Sequence, residues 1–119
     1  MRANLIVTAL ASCGLTLAVG WAAGMVNLPN RVALENPRVK VTEVTYPPGV
    51  ARDRYIRTAD QVIVFLDDCK YQRIDSQTHE KTVRERKSGE VIWHNKGEDA
   101  PVLINLGAKE YRTLVVELK

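Results

Sequence analysis

Two histidines, His79 and His94, and two cysteines, Cys13 and Cys69, are the only imidazoles and thiols in this chain of 119 residues. A site that needs three imidazoles cannot be built from one copy of it. No Ser-His-Asp or Cys-His set can be argued from their spacing either, and no catalytic residue, metal ligand or cofactor is assigned. The residues that could hold a ligand are few. Arg52, Arg54 and Arg57 cluster around Asp53. If Arg57 points inward, it makes a cationic cavity able to grip a carboxylate or phosphate through a bidentate contact. If it points outward, the three arginines form a solvated loop. Trp93 and His94 are adjacent, so on a strand one faces in and the other out. An inward His94 beside Gln61 or Asp99 would orient a ligand; Trp93 would stack on one or pack in the core. Arg57, Gln61, Trp93 and His94 are therefore the candidate pocket residues. His79 lies in a polar turn and reads as a solvated loop histidine. Cys69 follows Asp67 and Asp68, whose charges raise a thiol pKa, and it is not a candidate nucleophile.

These side chains must be positioned by strands. Residues 38–46 (RVKVTEVTY) are rich in β-branched types and alternate in part, and Pro47-Pro48-Gly49 ends them. Residues 61–67 hold five consecutive apolar positions between polar ones, which suits a strand buried on both faces. Further strands are expected over 70–75, 80–87, 90–94, 102–106 and 111–118, with turns at residues 76–79, Ser88-Gly89 and Gly107-Ala108. Residues 80–87 have Val83 as their sole apolar side chain, so they read as an outer strand. Short strands with turn signals every 8–12 residues, and no convincing helix, point to an all-β sandwich or barrel.

Composition sets the organisation. Hydrophobic residues make up 45% and charged residues 26%, the balance of a globular chain. The charge of +3 is spread among acids and argues against a nucleic-acid partner. No charged side chain occurs between Ala3 and Asn30, behind Arg2. Residues 1–24 therefore read as a signal peptide or a membrane anchor. The first makes the domain periplasmic or secreted; the second keeps it outside the cytoplasm, with membrane contact only through residues 5–28. Leu10-Ala11-Ser12-Cys13 also has the form of a lipidation site, but the apolar run continues past Cys13. Residues 25–37 read as a linker and 38–119 as the folded domain. Its modest size favours a homodimer, with strands 38–46 and 111–118 as the expected edges or interface elements.

Val44-Thr45-Tyr46-Pro47-Pro48-Gly49, the run from Asp60 through Gln61 to Leu66, Gly89-Glu90-Val91-Ile92-Trp93, Asn105-Leu106-Gly107 and the closing strand resemble the small single-domain cupins. The resemblance spans residues 38–119 and implies a jelly-roll β-barrel whose mouth holds a divalent metal and a small ligand. It also implies ligand positions that this chain leaves unfilled. The first two histidines should fall at Tyr55 and Arg57, or in the other register at Ile56 and Thr58. The glutamate falls at Gln61 or Val62, and the later histidine among Asp99, Ala100 and Pro101. With those positions unfilled, the resemblance points to a degenerate cupin without the usual three-His/Glu site, acting as a small-molecule binding or protein-interaction module; a small anionic ligand is its partner if Arg57 points inward. The alternative is a metal-dependent hydrolase, isomerase or dioxygenase with an altered set such as His94, Asp99 and Gln61.

Overall fold

A computed structural model describes residues 27–119. The leader expected over 1–24, and with it Cys13, lies outside the described residues. The described residues hold eleven strands and no helix. They are β1 (Asn30–Glu35), β2 (Val39–Tyr46), β3 (Ala51–Arg52), β4 (Tyr55–Ile56), β5 (Gln61–Phe65), β6 (Cys69–Ile74), β7 (Lys81–Arg86), β8 (Val91–His94), β9 (Asp99–Ala100), β10 (Val102–Asn105) and β11 (Tyr111–Leu118). One sheet has the order β1-β2-β11-β5-β8, the other β3-β10-β6-β7, and β9 pairs with β4 as a short ribbon. Every pairing between these strands is antiparallel. The architecture is all-β, as the strand spacing predicts, in the jelly-roll barrel form that the resemblance implies.

Alternation decides which side chains enter the barrel. In β2 the buried positions are Thr42, Val44 and Tyr46; in β5 they are Gln61, Ile63 and Phe65; in β11 they are Tyr111, Thr113, Val115 and Glu117. The strand at β5 is thus buried on one face and half-buried on the other, not buried on both. Leu28, Val44, Tyr46, Ile63, Phe65, Tyr71, Tyr111 and Val115 form one core. Tyr46 stacks on Tyr111 with ring centroids 4.6 Å apart, and Tyr71 lies 6.3 Å from Tyr111 and 6.4 Å from Phe65. Asn105 ties the two sheets together. Its Nδ2 donates to the carbonyls of Tyr46 (2.9 Å) and Lys109 (2.8 Å), and its Oδ1 accepts from the Gly107 amide. After Pro47-Pro48 the chain reverses at Gly49, whose φ of 74° favours a residue without a Cβ.

Two further expectations are corrected. Residues 25–37 are not a plain linker: Asn30–Glu35 pair with β2, with a bulge between Val32 and Leu34, and Leu28 is core. Pro29, Asn30, Asn36 and Pro37 punctuate the ends of that strand rather than breaking its middle. Asn36 Oδ1 accepts from the amides of Arg38 and Val39 to build the turn that follows. The second correction concerns the edges. Strands β2 and β11, expected at the edges, are interior to the five-stranded sheet; β1, β8, β3 and β7 are the edge strands.

Candidate anion-binding cavity

A cavity of about 230 Å³ lies between the two sheets. Part of its lining is apolar and aromatic, with Ile63, Phe65, Tyr71, Leu103 and Val115. The rest is largely charged. Arg52, Arg57, Arg73, Arg84 and Arg86 line it against two carboxylates, Glu98 and Asp99.

Arg57 is 5% exposed and points inward, so the cationic-cavity arrangement is the one realised. It sits just beyond the β4 ribbon, where Tyr55 and Arg57 face the interior and Ile56 is exposed. Of the two pairs, it is Tyr55 and Arg57 that line the cavity. Arg57 Nη1 donates to Gln61 Oε1 at 2.9 Å and, more weakly, to Tyr55 Oη at 3.4 Å. Arg52, also 5% exposed, donates to Tyr46 Oη at 3.1 Å and to the carbonyl of Pro101. Both guanidiniums lie over the Tyr55 ring, 5.4 and 5.7 Å from its centroid.

Neither Arg52 nor Arg57 has a carboxylate within ion-pairing distance among the described residues. The Nε of each is buried without a partner, and so are Tyr111 Oη and Thr113 Oγ1. All four residues line the cavity. Burial pulls the Arg57 guanidinium below its usual pKa, with Arg52 adding repulsion and Tyr55 and Glu98 acting the other way. An arginine so placed is still charged. Burial likewise pushes the Tyr55 and Tyr111 hydroxyls up, so both remain neutral donors.

Gln61 has no exposed surface and does not line the cavity. It positions Arg57 from behind, while its Nε2 reaches Glu117 Oε2 at 3.3 Å. His94 faces the cavity, and its Nδ1 lies 3.0 Å from Glu98 Oε1. Burial holds the His94 pKa below its usual value, against the hydrogen bond His94 makes to the Glu98 carboxylate. Glu98 is held down to about 2, first by the Asn95 amide and then by His94 and the Asn95 side chain. Trp93 is corrected: it faces out, 50% exposed, with Nε1 donating to Asn95 Oδ1. The alternation that carries His94 inward places Trp93 on the other face of β8. His79 is exposed in the turn after Asp75, with a left-handed φ of 63°. Cys69 is half-buried and its thiol is pushed up to about 11, by burial first and by Glu90 and Asp67 after it.

Sequence reasoning missed Arg52 as an interior group, together with Tyr46, Tyr111 and Thr113. The signal available was parity: Arg52, Tyr55 and Arg57 could be placed only once the breaks between β3, β4 and β5 were known.

No family model matches the sequence, and no curated protein does so either. Solved structures do. A cupin domain from Bordetella pertussis Tohama I superposes with a TM-score of 0.69 at 23% identity, over 77% of this chain and 93% of that one. This chain has the cupin fold. Its barrel is also similar to the polyketide cyclase RemF from Streptomyces resistomycificus, with a TM-score of 0.62 and 20% identity over 80% of this chain and 67% of that one. The DMSP lyase DddQ from Ruegeria pomeroyi DSS-3 matches with a TM-score of 0.60 and 12% identity, over 77% of this chain and 47% of that one.

The cupin fold implies a divalent metal in the barrel, and the residues present do not fit one. Among the described residues no group of three or more His, Cys, Asp and Glu side chains converges on a point. Asp99 is engaged by Arg54 and Ser76, Gln61 by Arg57 and Glu117, and His94 by Glu98. Two fixed guanidinium charges repel a dication, and the neutral amide of Gln61 offers it little. The same charges suit an anion.

Proposed function

We propose that this cupin barrel is a binding module for a small anionic ligand, a carboxylate or phosphate, and that it works without a resident metal. The observation that carries this reading is the pair Arg52 and Arg57, both buried in the cavity and neither matched by a carboxylate. A buried unpaired charge costs several kcal/mol, and an anion entering the cavity offsets that cost. Tyr111 Oη and Thr113 Oγ1 supply further unpartnered hydroxyls. The volume of about 230 Å³ lies below the roughly 300–1,000 Å³ of drug-sized pockets and suits a small metabolite.

The test is a thermal melt of chelator-dialysed protein with benzoate, succinate or inorganic phosphate, against neutral benzamide and cationic benzylamine as controls. Saturable stabilisation by an anion alone is expected. At a hundredfold excess over Kd it amounts to about 2.7 kcal/mol. Equal shifts with benzamide, or none with any anion, would refute the reading.

The enzyme alternative retains one observation, the His94–Glu98 pair at the cavity wall. Metal analysis separates the two: stoichiometric metal that survives dialysis and is lost in His94→Ala supports the enzyme. We also place the domain outside the cytoplasm, on the uncharged stretch from Ala3 to Asn30. A fusion of residues 1–30 to a reporter active only after export should be active, and a stable, silent fusion refutes it.

A further inference from the structure

The cavity arginines fall into two groups. Arg52 and Arg57 share the Tyr55 ring at one end. Arg73 and Arg84 reach the cavity from β6 and β7. Register across the four-stranded sheet puts Arg52, Leu103, Arg73 and Thr82 in one row, and sets Tyr71 opposite Arg84 in the next. Arg73 and Arg84 are therefore diagonal neighbours on adjacent strands, and each faces a neutral residue across the pair. At about 4.8 Å per strand, the Cα atoms of Arg52 and Arg73 stand about 10 Å apart, with Leu103 between them. Among the described residues neither Arg73 nor Arg84 has a carboxylate within ion-pairing distance. Arg86, next to Arg84 on the same face of β7, is paired with Glu90. The two acids of the cavity wall are engaged elsewhere, Asp99 by Arg54 and Ser76, and Glu98 by His94 and Asn95. Alternation gives β6 and β7 no inward acid, since Glu85 lies on the outer face opposite Lys70. Inward charge of either sign would protect an edge strand; unmatched like charges on neighbouring strands repel, and an anion between them offsets that repulsion.

We propose that the ligand is a dianion with an apolar middle: one acid group sits at Arg52 and Arg57, a second at Arg73 and Arg84, and an aromatic or alkyl segment joins them past Leu103. This rests on the anion-binding reading above and adds a second subsite to it. Charge balance carries the argument. A single carboxylate at Arg52 and Arg57 leaves Arg73 and Arg84 unmatched, and a second acid group matches them too. The ground between the groups is not polar: Leu103 stands in the row itself, and Phe65 and Val115 belong to the same lining. A hydrated spacer would leave its polar atoms without partners there, whereas an apolar one gains from burial. Exposure sets the direction of entry. Arg52 and Arg57 are buried, Arg73 is half-buried and Arg84 is exposed. One acid group therefore leads into the barrel, and the other stays at the mouth.

Calorimetric titration of the full chain with terephthalate and with naphthalene-2,6-dicarboxylate, each against its monomethyl ester, tests this. The ester keeps the shape and removes one charge, and the two diacids offer two spans. At least one diacid should bind about tenfold or more tighter than its ester, the worth of one charge-assisted hydrogen bond. Arg73→Gln together with Arg84→Gln should bring diacid and ester to equal affinity and leave the ester's own Kd unchanged. Arg84→Gln alone, at an exposed position that folding does not need, should already cut the preference about threefold. Diacid and ester binding equally overturns the proposal while the anion-binding reading stands. A preference that survives both substitutions also overturns it, because the second acid would be seated elsewhere. Binding of succinate or inorganic phosphate with neither diacid bound does the same, again sparing the broader reading. Binding of no anion at all overturns both.

Discussion

Arg57→Met separates a structural arginine from one kept for a ligand. Arg57 is 5% exposed, and its sole strong partner is the neutral Gln61 Oε1 at 2.9 Å. Methionine fills a similar volume without charge. The substitution leaves Gln61 Oε1 buried without its donor, which costs about 1–3 kcal/mol. It also removes a buried cation and its repulsion from Arg52, a relief of several kcal/mol. The two terms nearly cancel or favour the variant: about 1 kcal/mol less stable at worst and about 3 kcal/mol more stable at best. Breaking a buried ion pair would instead cost about 3–5 kcal/mol. Urea unfolding in ligand-free buffer reads the difference from the midpoint at constant slope. The same variant should lose at least about a hundredfold in affinity for the anion that stabilises the parent, since two charge-assisted hydrogen bonds of about 1.5 kcal/mol each disappear. A destabilisation of about 3 kcal/mol or more with ligand affinity unchanged would refute the reasoning.

Phe65, 4% exposed, packs on Tyr71 and lies under the Arg86 guanidinium. Phe65→Ala should cost about 3–5 kcal/mol in urea unfolding, and a loss below about 1 kcal/mol would show that its packing is loose. Glu98 tests the pH dependence. Its carboxyl is depressed from 4.5 to about 2, so its contribution is fully present above the unfolded value and is lost as pH falls from 4.5 towards 2. Glu98→Gln should flatten that part of the melting-temperature profile; an unchanged acid limb would show that the Asn95 and His94 contacts do not persist in solution.

The framework was legible because it rests on local rules. β-Branched alternation marked β2 and β11, and the prolines and glycines marked the turns. The buried place of Phe65 and the outer position of β7 follow from the same logic, since Val83 is the one apolar residue in that strand. Sheet order was not legible: whether β2 is an edge depends on β1, whose capping residues look like a linker. At the site, Arg57 could be named but its direction could not. It turns on the break after β4, which moves the parity of every residue up to β5. The same parity separates His94 from Trp93. Gln61 was read as a pocket residue because its strand position is right, yet Arg57 lies between it and the cavity, and only packing depth reveals that.

The bulge between Val32 and Leu34 bears on how this molecule avoids polymerising. An open sheet edge is a template onto which further chains can add without limit. Here the longest edge of the five-stranded sheet is kinked in its middle. Its ends are tied down by ion pairs, Arg31 to Glu43 and Glu35 to Lys119. The opposite edge offers four residues; the other sheet has a strand of two at one edge and, at the other, β7, whose Lys81, Arg84, Glu85 and Arg86 discourage pairing by their charge. Growth by strand addition therefore has little to start from.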